Sequence, residues 1–145
     1  MEEIMLIRNA NAVWNGNLID GDGQMKFGSG AFEGQYSFKS RFENGTGTNP
    51  EELIGAAHAG CFSMAFSATL AKSGFKPQKV ETTAKVHLDK VDEGFKITTI
   101  ILDTEAQIPD IDEAEFQKLA EAAKQGCPVS QALAGVDIKL EAKLV

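Results

Sequence analysis

One stretch constrains this chain more than any other: Asn49-Pro50-Glu51-Glu52, followed by a nearly unbroken run of apolar and small residues from Leu53 to Leu70. Asn49 suits an N-cap, Pro50 fits the first helical position, and Glu52 completes a capping-box-like pattern. Ser73-Gly74 supply a stop. The spacing therefore predicts one long helix over 49–73. A helix that is apolar or small nearly all round has no side to offer to water, so it is predicted to be buried. His58, Ser63 and Ser67 interrupt the run, which argues against a membrane span. One such helix also needs more partners than a few strands supply, a first hint of dimerisation.

Around this helix the chain reads as strands. Over 1–43, Ile4, Leu6, Ala10, Ala12 and Trp14 mix with polar residues. Asn15-Gly16-Asn17, Gly21-Asp22-Gly23 and Gly28-Ser29-Gly30 mark turns. Tyr36, Phe38 and Phe42 alternate with polar neighbours, giving two or three antiparallel strands in all. Asn44 to Thr48 reads as a flexible loop. Beyond the helix, strict alternation from Val80 to Leu88 predicts a half-buried strand, and Asp92-Glu93-Gly94 turns into a second, so that strands fill 79–107. Helices are predicted over 112–134, with Gly126-Cys127-Pro128 dividing them, and a last strand over 135–145. Strands, helix, strands, helices and strand in that order give an α+β class, with antiparallel sheets around a long central helix.

A length of 145 residues fits a single domain, 1–145. The formal net charge is −7, which argues against nucleic acid or an anionic membrane as the main partner. Met1-Glu2-Glu3-Ile4 has neither the basic region nor the cleavage site of a secretory signal, so a cytoplasmic location is expected. In that compartment two cysteines rarely form a structural disulfide.

Cys61 lies mid-helix in Ala59-Gly60-Cys61-Phe62-Ser63, where small neighbours allow close approach to the thiol. It is either a core cysteine or a nucleophile that needs a cation or donor nearby. His58 shares its helical face at i, i+3. It is a base for Cys61 or, better, a helix histidine satisfied by another neighbour. Cys127, between Gly126 and Pro128 at a helix start, would meet free N–H groups that favour a thiolate. The alternative is a cysteine tolerated in a turn. The two cysteines are far apart in sequence, and spacing alone does not bring them together. Arg41 stands beside Phe38 and Phe42, a permanent charge able to lower a thiol pKa or bind an oxyanion. Glu51 has a simple account as a carboxylate at a helix N-terminus. No paired metal-ligand spacing links Cys61, Cys127, His58 and His87.

Taken together, these segments resemble the OsmC/Ohr family of osmotically inducible protein C and the organic hydroperoxide resistance proteins. The resemblance runs through Ser40-Arg41-Phe42-Glu43, the stretch from Gly47 to Ala65 that includes Thr48-Asn49-Pro50-Glu51-Glu52 and His58-Ala59-Gly60-Cys61, Leu88-Asp89-Lys90-Val91-Asp92 and Gly126-Cys127-Pro128-Val129-Ser130. It covers nearly the whole chain and leans to the osmotically inducible branch.

The resemblance implies a thiol peroxidase that reduces organic hydroperoxides, and hydrogen peroxide less well, in oxidative and osmotic stress defence. It implies Cys61 as the peroxidatic cysteine and Cys127 as the resolving one, joined in a disulfide during turnover. Arg41 would activate the thiol and Glu51 would hold that arginine. An intertwined homodimer, no haem, flavin or metal cofactor, and an external dithiol reductant of lipoyl type are also implied. The helix adds a constraint: Glu51 and Cys61 would be ~15 Å apart along its axis, so a shared site predicts two such helices antiparallel across a two-fold axis. The rival readings are a Cys61/His58 acyl-transferase or hydrolase and a non-catalytic redox-sensing dimer.

Overall fold

The computed structural model describes residues 5–145, so Ile4 and the rest of the opening tetrapeptide lie outside the described residues. The chain divides into two compact units, one ending at Pro50 and one spanning Glu51–Val145.

The first unit holds a three-stranded antiparallel meander, β1 (Ala10–Asn15), β2 (Asp22–Phe27) and β3 (Glu33–Tyr36). Leu6 precedes the first strand and is exposed. Gly23 on β2 faces Trp14 and Tyr36 on its neighbours. A Cβ there would come within 2.6 Å of Tyr36 Cε1 and 2.7 Å of Trp14 Cε3. Glycine lets the two rings meet, with centroids 5.2 Å apart.

Two expectations for this unit are corrected. Residues predicted to continue as strand after Tyr36 form a short helix, α1 (Phe38–Phe42). Its cause is a capping box: Ser37 Oγ accepts from the Ser40 N–H while Ser40 Oγ accepts from the Ser37 N–H. The loop over 44–48 is tied down rather than free. Ser40 Oγ donates to the Thr48 carbonyl at 2.7 Å, and the Thr48 N–H donates to Gln35 O at 2.8 Å.

In the second unit, α2 (Pro50–Lys72) matches the predicted long helix. It ends in a Schellman motif: the Phe75 N–H donates to Leu70 O and the Gly74 N–H to Ala71 O, with Gly74 at φ +88°. A long hairpin follows, β4 (Lys79–Val91) and β5 (Gly94–Gln107), then α3 (Glu113–Gly126), α4 (Pro128–Ala132) and β6 (Asp137–Leu144). β6 pairs with β5 in parallel, so this sheet is mixed and not antiparallel as expected. The reason is the helical crossover through α3 and α4, which returns the chain in the direction of β5.

Phe62, Phe66 and Leu70 of α2 form one core with Ile100, Leu102 and Ala106 of β5 and Phe116, Leu119, Ala120 and Ala123 of α3. Phe66 is the junction, its ring centroid 5.6 Å from Phe62 and 5.5 Å from Phe116. Beneath α2, Ser63 Oγ donates to Thr82 Oγ1, which also bonds the fully buried Thr104 Oγ1, so the polar atoms there are paired. α2 is long and apolar enough to cross a membrane by length and composition, but its packed face makes it a core helix. Within the single chain only that face is buried. Ala56, Ala57, Gly60, Met64, Ala68 and Ala71 remain exposed along the other, in keeping with the expectation that such a helix needs more partners than one chain supplies.

Candidate active site

The junction of α3 and α4 fixes Cys127. Its N–H donates to Ala123 O and closes α3, while its carbonyl accepts from the Gln131 N–H and opens α4, with Pro128 at the first position. Both backbone groups are committed, so the direction of the side chain is set, and the residue is fully buried. Cys61 projects from the middle of α2 and is partly buried. Their sulfurs lie 3.1 Å apart as free thiols, within hydrogen-bond reach of one another. A disulfide bond is about 2.0 Å long, so closing it needs a movement of roughly 1 Å.

The two thiols differ electrostatically. Burial pushes the Cys61 thiol up, the hydrogen bond with Cys127 adds to that, and the Val129 N–H offsets part of it. Burial alone would also raise Cys127. It is outweighed by the hydrogen bond with Cys61 and by the Ser130 N–H, Ser130 hydroxyl and Val129 N–H, which leave Cys127 below the ordinary thiol value. As a thiol, Cys127 makes no side-chain capping bond to α4; these donors act on its charged form. Within this chain burial thus works against a thiolate on Cys61.

His58 is fully buried on the packed face of α2. Its Nε2 lies 2.8 Å from Ser130 Oγ, and burial lowers its pKa. The predicted neighbour that satisfies it is thus a serine brought from α4. Sequence reasoning gave Ser130 no role, although its place three residues after the N-cap Cys127 was a legible signal for a side chain turned back toward the cap.

Glu51 occupies the first turn of α2 and is buried. Because α2 is unbroken, Glu51 and Cys61 of one chain are ~15 Å apart along the axis. Arg41 lies in the other unit, in the last turn of α1, with its guanidinium 5.2 Å from the Phe42 ring centroid. It lines a cavity of about 240 Å³ together with Trp14, Leu18, Tyr36 and Phe38. Among the described residues no group of three or more His, Cys, Asp or Glu is placed to hold a metal ion.

Comparison with known proteins is consistent in family across most of the chain. Residues 43–141 match the family model described as OsmC-like protein. The chain is 51% identical over 127 residues to peroxiredoxin OsmC of Escherichia coli (strain K12), covering 87% of this chain and 89% of that one. It is 38% identical over 104 residues to organic hydroperoxide resistance protein OhrB of Bacillus subtilis (strain 168), 70% and 74% of the two chains. A crystal structure of an organic hydroperoxide resistance protein OsmC from Legionella pneumophila superposes with a TM-score of 0.75 at 26% identity, covering 97% of this chain and 99% of the other. This protein belongs to the OsmC-like family.

Proposed function

We propose that this chain is a peroxidase-type enzyme of hydroperoxide defence, and that its substrates are organic hydroperoxides reduced through Cys61 and Cys127. The relatives named peroxiredoxin OsmC and organic hydroperoxide resistance protein support the class of activity. The observation that carries the chemistry is the 3.1 Å approach of two free thiols from distant parts of the chain.

In the proposed cycle, the Cys61 thiolate attacks the terminal oxygen of ROOH. The S–O bond forms, the O–O bond breaks and alkoxide leaves. Cys127 then attacks the Cys61 sulfenic acid, the disulfide forms and water departs. An external dithiol, of lipoyl type, restores both thiols by exchange. Because burial raises the Cys61 thiol within a single chain, the first step needs a cation at Cys61. That is the role we assign to Arg41, with Glu51 holding it, at the interface of a homodimer in a protein of the cytoplasm, the whole of 1–145 acting as one domain. The exposed apolar face of α2 and the length of helix between Glu51 and Cys61 support pairing across a two-fold axis.

The acyl-transfer alternative would use His58 as the base of Cys61, but Nε2 of His58 is engaged by Ser130. The test is steady-state turnover of cumene hydroperoxide with dihydrolipoamide. Cys61→Ser is expected to abolish it, and Cys127→Ser to leave a single turnover without recycling. Steady-state turnover retained in Cys61→Ser would remove Cys61 from the mechanism.

A further inference from the structure

α4 is five residues long, too short to hold a fixed place by its own backbone bonds. Yet Cys127, at its start, stands 3.1 Å from Cys61 on α2. Val129 and Leu133 of the same segment pack on the core, but apolar burial is non-directional and does not set a position to a fraction of an ångström. A hydrogen bond does, because it weakens steeply with angle and distance. One such bond joins α4 to α2. Ser130 Oγ and His58 Nε2 are 2.8 Å apart, with His58 0% and Ser130 7% exposed.

This bond has a regular place beside the cysteines. His58 is three residues before Cys61 and Ser130 is three residues after Cys127, so in each segment the polar group and the sulfur lie about one turn apart on one face. The His58–Ser130 and Cys61–Cys127 pairs are thus neighbouring rungs between the same two helices. Nδ1 of His58 is buried with no hydrogen-bond partner, so Ser130 is the imidazole's one hydrogen-bonding neighbour among the described residues. Burial keeps the ring neutral, with a single N–H. A buried N–H left orphaned is costlier than an unfilled lone pair, so the hydrogen belongs on Nε2 and is donated to Ser130 Oγ. Moving α4 away would leave that N–H unpaired in the core.

We infer that the His58–Ser130 bond is a latch for disulfide closure: it holds α4 where Cys127 can reach Cys61, which makes His58 and Ser130 positioning residues. In the step served, the Cys127 sulfur attacks the sulfur of the Cys61 sulfenic acid. The S–S bond forms, the S–O bond breaks, and the Cys127 proton leaves with the hydroxyl as water. Cys127 is oxidised and the sulfenic sulfur reduced, so no further oxidant is needed. The latch acts by raising the effective concentration of one sulfur at the other. It stands on the two contacts, whereas its use in peroxide turnover rests on the peroxidase reading.

The two are tested separately. Parent and variants are equilibrated with mixtures of reduced and oxidised dithiothreitol, in which the protein dithiol is oxidised as the reagent disulfide is reduced. Ser130→Ala and His58→Leu should each lower the effective concentration about tenfold, the order of one directional bond. The reduction potential of the Cys61–Cys127 couple then rises by about 30 mV. The double variant should shift it no further than either alone, and His58→Gln, which keeps an N–H donor, should fall back toward the parent value. Should His58→Leu fail to fold, Ser130→Ala reads the same bond. An unmoved potential in Ser130→Ala overturns the latch whatever its urea midpoint does, because a bond serving stability alone would lower only the midpoint. After one equivalent of cumene hydroperoxide, the sulfenic acid of Ser130→Ala should stay trappable by dimedone roughly tenfold longer than in the parent. An unchanged lifetime beside a moved potential overturns the role in closure. If the parent consumes no peroxide, the peroxidase reading fails, while the equilibrium with dithiothreitol still decides the latch.

Discussion

α2 and α3 are the two long helices of the second unit, and they meet at Phe66 and Phe116 with very different sequences around that contact. On α3, Phe116, Leu119, Ala120 and Ala123 are buried, while Glu113, Gln117, Lys118, Glu121 and Gln125 face water. One chain accounts for every side of it. α2 buries Gly55, His58, Phe62, Phe66 and Leu70 and then repeats small and apolar residues on the opposite face, where a single chain supplies no cover. α3 is written for one neighbour and α2 for two. The catalytic candidates follow the same division, since Cys127 at the end of α3 is fully enclosed and Cys61 on α2 is partly open.

The largest effect is expected where the two helices share their core. Phe66→Ala removes a fully buried ring in contact with Phe62 and Phe116, and a cost of ~3–5 kcal/mol is expected from urea unfolding. A loss below ~1 kcal/mol would mean that this cluster is not the centre of the unit. The opposite face of α2 gives the next test. Met64 is 76% exposed in the single chain, so Met64→Asp should leave the monomer folded. At a two-fold interface it buries an unpaired charge, and the dissociation constant should rise about a hundredfold in sedimentation equilibrium. An unchanged mass distribution would break the comparison, because the exposed face of α2 would then be a surface like that of α3.

Much of this was readable from residues and the reasons are local. The bounds of α2 follow from Asn49-Pro50 and Ser73-Gly74, whose chemistry acts within one turn of each end. Alternation from Val80 to Leu88 gave β4 because one face of the strand is half-buried. Failures came where distant partners decide. Alternating Tyr36, Phe38 and Phe42 suggested a strand, yet two serines capped a helix instead. The parallel pairing of β6 depends on the path of the crossover, which periodicity does not encode. At the site, each cysteine was noticeable from its neighbours, but their 3.1 Å approach is a tertiary event across the α2–α4 contact. His58 pointed along its helix, and nothing near it in sequence named Ser130 as its partner.

His58 also gives the packed face of α2 a sensitivity to acid. Its folded pKa lies below the ordinary histidine value of about 6.5 because burial penalises the charged ring. Above about pH 6.5 the residue is neutral in both folded and unfolded chains, and its contribution to stability is fully present. As the pH falls below 6.5, the unfolded chain takes up a proton that the folded chain refuses, so stability declines until the lower folded value is passed. The slope from one such group is at most ~1.4 kcal/mol per pH unit. Urea midpoints of the parent and His58→Gln, compared from pH 7.5 down to about 5, isolate it from the carboxylates, which both proteins share. The difference should be constant above 6.5 and shift in favour of the variant below it. Parallel curves throughout would show that this helix face admits the imidazolium.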